Sequence, residues 1–542
     1  MIASKEFPHS SLPATPQPAS RESSIELELP VISKVSFRFA ASALSGAAMF
    51  ACFPRPGWHL LVWGACLPIL LTLVTERSLP RAFLWGYVCG ALFLAGSCYW
   101  FVEVMERYGK LAPPLAAGVL LLFVAVFSGF FGAFGLAEGW VARRMPLAAL
   151  ALSPFLWVSM ELARTYLITG FPWNLMGYAV QAEGLRQLAS VTAVYGLSFL
   201  AVATSAMAAW ALLERQRTRA RIGLALWLGM LIAANWLARP PALRPGSRAA
   251  FLVQPNVPLD ESVQEAWAPW RDPGPLNSLV SLTLGSRVVD EAAIGPPLIV
   301  WAENPAPFYF NRDPVFRGAV ERLARGARGY VVVNTVTFAD PENKLPKNSA
   351  VVLDPEGRVI LQYDKIHLVP FGEYVPWWAF PGRVGKIAAE AGNFVPGSSY
   401  QVARMPEGAV GVFICYEAIF PQLVRRIVSE GAGVLVNVSN DAWYGDSPAA
   451  FQHLEMARLR AIENRRALLR ATNDGITAVI DPYGRVASEL PRRRRLVLAG
   501  RFDYLTERTF YARHGDVFAW LCAAVAAGIA AVRALARGKR EA

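Results

Sequence analysis

The chain has 542 residues, room for two or three domains, and 54% of them are hydrophobic while only 17% are charged. That balance excludes an ordinary soluble enzyme and points to an integral membrane protein. A formal charge of +12 would suit nucleic acid, but the basic residues sit largely in short clusters between apolar runs, which is a topology signal instead, so no nucleic-acid partner is expected.

Residues 1–34 are rich in Ser, Pro, Ala and Thr without periodicity, which predicts a disordered tail. A signal peptide is not expected, because the first apolar run begins only near Val35 and no short cleavable core precedes it. Seven apolar segments follow within 35–240, centred near 44, 66, 92, 125, 156, 201 and 229. Most reach or approach the roughly 20 residues that cross a bilayer. An eighth, Val517 to Val532, predicts a last membrane helix over 514–536 and a short tail over 537–542.

The basic residues alternate along this pattern. Arg77 and Arg81 follow the second run, Arg143 and Arg144 the fourth, Arg215, Arg217, Arg219 and Arg221 the sixth, and Arg533, Arg537, Lys539 and Arg540 the eighth. The positive-inside rule then puts both termini in the cytoplasm and the long segment over 245–510 on the opposite side. Within the membrane half, Glu161 and Arg164 are spaced to pair on one helix face. The aromatic loop from Thr169 to Tyr178 suits the membrane interface, as an anchoring belt or a lipid contact.

From 245 onward the texture becomes α/β. Strand-like runs at Ala249–Val253, Leu298–Ala302, Tyr330–Val336, Ala350–Leu353, Val410–Ile414, Val434–Val438 and Thr477–Ile480 alternate with helical stretches. Asp354-Pro-Glu-Gly-Arg-Val359 and Asp481-Pro-Tyr-Gly-Arg-Val486 are near repeats, each a turn between two strands. They predict two similar halves, with sheets face to face and helices outside.

Six cysteines are present, and five lie in the apolar runs. Cys415 alone belongs to the polar half, after the strand-like Val410–Ile414, so it is either a buried inert thiol or a nucleophile. A strand-to-helix turn would place it where helix N–H groups favour a thiolate. Two more polar sites end apolar strands or the loops after them. Glu303 follows Leu298-Ile-Val-Trp-Ala302, and Lys365 and Glu373 share one loop eight positions apart. Strand ends in an α/β fold converge on one rim, and a thiol needs a base while a developing oxyanion needs a cation. The five histidines have no metal-ligand spacing, and neither a phosphate-binding loop nor a G-x-S-x-G elbow occurs, so no metal site and no serine nucleophile are expected.

Glu303, Lys365 and Cys415, in that order and local context, resemble the Glu-Lys-Cys triad of the nitrilase superfamily. Longer blocks resemble its membrane-embedded branch, the apolipoprotein N-acyltransferase family: Gly170-Phe-Pro-Trp173, Trp301-Ala-Glu-Asn304, Lys365 to Pro376, Cys415-Tyr-Glu417, and Asn437 to Gly445 continuing through Phe451-Gln-His453. The resemblance implies about eight membrane helices and an αββα sandwich over 245–510. It makes Glu303 the general base, Lys365 the stabiliser of the charged intermediate and Cys415 the nucleophile, with Glu373, Tyr416 and Glu417 in support. Trp267, Trp377, Trp378 and Trp443 are the substrate-contact candidates, and the prolines and glycines around Trp377-Trp-Ala-Phe380 predict a lipid-facing lid. The implied reaction moves the sn-1 acyl chain of a phospholipid, phosphatidylethanolamine expected, through a cysteine thioester to the amine of a diacylated apolipoprotein at the inner membrane. The implied enzyme is a monomer, and the resemblance implies no cofactor. A membrane-tethered amidase would share the triad, and a transporter with an appended binding domain would need more polar residues in its spans.

Overall fold

Apolar runs in this chain satisfy their backbone groups as helices, the only open-ended solution a bilayer allows. The computed structural model describes residues 34–214, 217–259, 266–286, 293–303, 308–340, 345–374 and 394–541. The expected tail over 1–33 and the lid around Trp377 and Trp378 lie outside the described residues.

The membrane half comprises α1 (Val35–Ala51), α2 (Leu67–Thr75), α3 (Leu79–Cys98), α4 (Trp100–Arg107), α5 (Pro113–Ala142), α6 (Pro146–Tyr166), the short α7 (Glu183–Arg186) and α8 (Ala189–Thr192), α9 (Val194–Leu213) and α10 (Arg217–Leu237). Six of the seven expected centres fall within helices, and the one at 66 falls on the residue that caps α2. Among the described residues, α3, α5, α6, α9 and α10 are long and apolar enough to cross a membrane, whereas α1, the His59–Thr75 stretch and the apolar part of the last helix are shorter. Small residues let α3 and α5 meet backbone to backbone: a Cβ on Gly86 would stand 2.2 Å from the Phe131 carbonyl.

Twelve strands follow in two sheets. The first runs β12-β1-β2-β3-β4-β5 and the second β11-β10-β9-β8-β7-β6. In the first, β1 (Arg248–Gln254), β2 (Leu298–Trp301) and β3 (Tyr330–Phe338) are parallel, and β4 (Pro346–Leu353) and β5 (Val359–Asp364) return antiparallel. The second repeats this with β7 (Gly408–Ile414), β8 (Val434–Ser439) and β9 (Leu468–Thr472) parallel, then β10 (Ala478–Ile480) and β11 (Val486–Glu489). Each half is closed by an antiparallel edge strand on its first parallel one, β12 (Leu496–Phe502) on β1 and β6 (Val402–Met405) on β7. The sequence reading did not anticipate β6, β9 or β12.

Strand alternation sorts the side chains into two layers. Ala250 and Leu252 of β1 point into a core shared with Val410, Val412 and Val436 of the second sheet. Ala249, Phe251 and Val253 point outward onto α11 (Gly274–Gly285) and α12 (Pro314–Ala327). The second sheet is covered by α13 (Pro421–Ser429) and α14 (Ala449–Asn464), and α15 (Phe510–His514) leads into α16 (Val517–Glu541), the eighth expected apolar run. The twin turns have matching bonds. Asp354 Oδ1 accepts from the Glu356 and Arg358 amides and Oδ2 from Arg358 Nε; Asp481 does the same with Tyr483 and Arg485.

Two expectations for the membrane half are corrected. Glu161 and Arg164 do not bind each other. Glu161 Oε1 accepts from Trp157 Nε1 (3.0 Å) and the Met176 amide (2.8 Å), while Arg164 Nη2 donates to the Trp173 carbonyl (3.1 Å). Both therefore grip the aromatic loop. That loop is not an interfacial belt, because the α/β domain covers it: Trp173 is 1% exposed, donates to Gln452 Oε1 at 2.7 Å and stacks on His453 of α14.

Candidate active site

The all-apolar strand β7 delivers Cys415 into a tight 3-10 turn, Cys415–Ile419, with φ at +49°, the left-handed region. Glu417 holds this elbow. Its Oε2 accepts from the Ile414 amide (2.7 Å), and its Oε1 accepts from Tyr363 Oη (2.9 Å) and the Ile366 and His367 amides (2.7 and 3.1 Å). Burial pushes its carboxyl up to about 7 against those donors. Glu417 thus ties the Cys415 turn to the loop that begins with Lys365. The helix α13 starts only at Pro421, so Cys415 heads a 3-10 turn and not the α-helix expected to favour a thiolate. Burial, then Glu303, raises the thiol above its ordinary value and Lys365 opposes them, so the resting group is a thiol.

Glu303, just past β2, is 7% exposed, acts electrostatically on the Cys415 thiol, and keeps its Oε2 buried without a hydrogen-bond partner among the described residues. Its Oε1 accepts from Asn348 Nδ2 at 2.9 Å and stands 3.7 Å from Lys365 Nζ. Lys365, just past β5, is 1% exposed and donates to Glu373 Oε1 at 2.9 Å. Glu373 also accepts from Asn348 Nδ2 (2.8 Å) and the Val369 amide (2.8 Å). Burial and Glu373 raise the Glu303 carboxyl, with Lys365 pulling it back, which makes it a stronger base toward a thiol. Burial works against the Lys365 charge, but Glu373 and Glu303 outweigh it and hold the ammonium protonated. The expected triad and Glu373 therefore converge.

The remaining candidates sit around this centre. Tyr416 is buried, with its ring 5.9 Å from His367 and 5.3 Å from Phe420, and forms an apolar wall beside the elbow. Trp267 lines a small void with Ala302 and Asn334, next to the strand end that carries Glu303. Trp443, 39% exposed, packs edge-on against Tyr108 of the membrane half at 4.7 Å instead of joining the charged cluster.

Sequence reading missed the groups that hold the triad. Asn348 carries no motif; its position on β4 lets one amide bridge Glu303 and Glu373, while its Oδ1 accepts from Asn334 Nδ2 at 2.7 Å. Beneath the elbow, His453 Nε2 donates to the Cys415 carbonyl at 3.1 Å, and its Nδ1 lies 3.0 Å from Asp441 Oδ1 and 3.1 Å from Arg470 Nη2. Arg470 also donates to Asp441 Oδ2 (2.7 Å) and to Asn437. Burial and Arg470 keep His453 neutral, and Arg470 holds Asp441 well below the usual carboxylate range despite its burial. The spacing from Asp441 to His453 was visible, but no local pattern shows that strand and helix meet under a carbonyl.

Residues 45–207 match the apolipoprotein N-acyltransferase N-terminal domain and residues 280–507 match carbon-nitrogen hydrolase. The apolipoprotein N-acyltransferase of Geobacter metallireducens is 37% identical over 510 residues, spanning 91% of this chain and 95% of that protein. The chain belongs to the apolipoprotein N-acyltransferase family. The family's enzyme from Methylococcus capsulatus is 32% identical across 92% of this chain and 96% of its own. Among solved structures, an amidase from Nesterenkonia sp. AN1 overlaps 51% of this chain and 97% of its own at 18% identity, with a TM-score of 0.36. The two matched domains fit lipoprotein N-acylation, with a nitrilase-type α/β unit following an apolar helical one.

Proposed function

We propose that this protein transfers the sn-1 acyl chain of a phospholipid, phosphatidylethanolamine in the first instance, to the α-amine of the S-diacylglyceryl cysteine of apolipoproteins. The observation that carries this reading is the buried thiol–carboxylate–ammonium cluster of Cys415, Glu303 and Lys365 in a chain whose neighbouring helices can lie in lipid. Glu303 takes the thiol proton as sulfur attacks the ester carbonyl. Lys365 stabilises the oxyanion. Collapse breaks the ester bond, Glu303 returns the proton to the departing alkoxide, and lysophospholipid leaves. The acceptor's neutral amine then attacks the thioester and loses a proton to Glu303. The second collapse yields the amide and returns the thiol, a ping-pong cycle. A thioester suits this path because it resists water moderately and yields readily to an amine.

The test is to incubate the purified protein with phospholipid and weigh the peptide that contains Cys415. We expect an added acyl group that disappears on adding a diacylated lipopeptide with a free amine. Absence of the adduct, or its discharge only to water, would overturn the reading.

The reaction further requires the 245–510 domain at the outer face of a bacterial inner membrane, with both termini cytoplasmic, and the chain acting as a monomer. The arginines between 215 and 221 and the basic residues from 533 to 540 support that orientation. A periplasm-specific reporter inserted after residue 350 should be active and one at the C-terminus silent; the reverse pattern would place Cys415 in the cytoplasm.

A further inference from the structure

On the side of α14 turned away from Cys415, a cavity of about 270 Å³ lies between the membrane half and the catalytic domain. His453 and Glu455 are two positions apart on α14 and do not share a face, so what Glu455 faces is separate from the reaction centre. Arg186 of α7, Arg458 of α14 and Arg485 of the turn after β10 all line the space, and Glu183 is the one carboxylate among the lining residues. Behind the wall, a single carboxylate serves two guanidinium groups: Glu455 Oε2 accepts from Arg186 Nη2 at 3.1 Å and its Oε1 from Arg458 Nη1 at 2.5 Å. Arg186 is only 3% exposed, yet its Nε has no acceptor. Burial and the adjacent Arg458 hold its guanidinium down to about 10, with Glu455 opposing them, while Arg485 is already paired with Asp481.

The depth of the cavity follows from α10. Asn235 Oδ1 accepts from the amides of Gly184 and Leu185, at 2.9 and 3.1 Å, so α7 is seated directly on the end of α10. The adjoining Ile232, Trp236 and Leu237 are 72%, 66% and 75% exposed. A helix that presents such residues outward is lipid-facing, and an exposed tryptophan at its end marks the headgroup boundary. The cavity therefore opens where lipid phosphates lie.

We propose that this cavity binds the phosphate group of a phospholipid, on Arg186 and Arg458, with the acyl chains along α10. The bound anion would bridge the membrane half to the catalytic domain at a second lipid site, apart from the acyl donor. The proposal rests on α10 lying in the bilayer and not on acyl transfer.

The test uses the full chain carrying Cys415→Ala, so that no acyl transfer consumes lipid. Phosphatidylglycerol is titrated in detergent and bound lipid per chain is read by native mass spectrometry, with inorganic phosphate titrated in parallel. Adding Arg186→Gln should weaken lipid retention roughly tenfold, the order for losing a hydrogen bond to a charged group. Adding Glu183→Gln should strengthen it, since a carboxylate facing the phosphate is removed. The two changes act in opposite directions, so loss of fold in one cannot imitate the pair. Equal lipid retention by all three proteins overturns the site. Binding of inorganic phosphate that depends on Arg186, with lipid retention unchanged, overturns the lipid assignment. Absence of an acyl adduct at Cys415 in the unmodified protein would sink the acyltransferase reading and leave this result standing.

Discussion

The two sheets share strand order and turn geometry but use buried charge in opposite ways. In the first half, the ends of β2 and β5 and the middle of β4 send Glu303, Lys365 and Asn348 into one cluster beside the thiol. In the second half, Asn437, Asp441, His453 and Arg470 are all 0% exposed; His453 donates to the Cys415 carbonyl, and the Asp441 charge adds to what raises the thiol. On the proposed mechanism the first half supplies the base and the cation. The second supplies the thiol and the backbone geometry beneath it, holding a non-glycine residue in a left-handed conformation that costs on the order of 1–3 kcal/mol. Two sheets of one strand order then divide proton transfer from positioning.

The largest effect should come where the halves meet. Cys415→Ser should reduce lipopeptide acylation to background while membrane insertion is unchanged, because a serine hydroxyl beside Glu303 is far harder to ionise than a thiol. Near-normal acylation by this variant would remove the nucleophile assignment.

Breaking only the first half should be nearly as severe. Glu303→Gln should slow adduct formation by about 10²- to 10⁴-fold, the range for losing a general base. This position also sets a pH limb. The base works deprotonated, so the rate rises with pH through its pKa, and burial raises that pKa above the ordinary 4.5. The acid limb of adduct formation should therefore lie above pH 4.5 and vanish in Glu303→Gln. A limb that persists unchanged in the variant would belong to another group.

Much of this division was legible in the sequence, and the reason is local. Glu303 and Cys415 each follow an apolar run and Lys365 opens the loop after a turn-flanked strand, so strand-end placement brings them to one rim without knowledge of the packing. The twin Asp-Pro-x-Gly-Arg turns likewise announced the two halves. What stayed hidden depends on register. Asn348 matters because the β3–β4 register sets it opposite Val336, diagonal to Asn334, whose amide it meets, and nothing in its own neighbourhood says so. The strand β12 follows four consecutive arginines, and a charged cluster reads as loop although Leu496–Phe502 completes the first sheet. Trp173 looked interfacial since its burying surface, α14, lies some 280 residues further along the chain.

Breaking only the second half should give a smaller and different defect. His453→Ala removes the donor to the Cys415 carbonyl, and the expected loss is roughly tenfold in kcat for adduct formation, the order of one buried hydrogen bond. His453→Gln, which keeps an N–H donor, should recover part of it. Because His453 is neutral and acts through the backbone, the acid limb set by Glu303 should keep its position in both variants. A displaced limb would mean that His453 shares in proton transfer, and the division between halves would fail.

The smallest effect sharpens the comparison at the twin turns. Arg358 and Arg485 make the same bonds to Asp354 and Asp481, but Arg358 is 73% exposed and Arg485 only 22%. Arg485 Nη1 also donates to the Pro241 carbonyl at 2.6 Å, in the connection between α10 and β1. The first turn therefore meets only its own domain, where Arg325 of α12 donates to its Glu356 carbonyl, while its twin also fastens the α/β domain to the chain leaving α10. Arg358→Gln should move the thermal unfolding midpoint by less than about 2 °C, as expected for a solvent-screened pair. Arg485→Gln should lower it further, measured without added lipid so that the neighbouring cavity does not contribute. Equal shifts would show that the Pro241 contact carries no load, and the asymmetry between the halves would then be confined to the reaction centre.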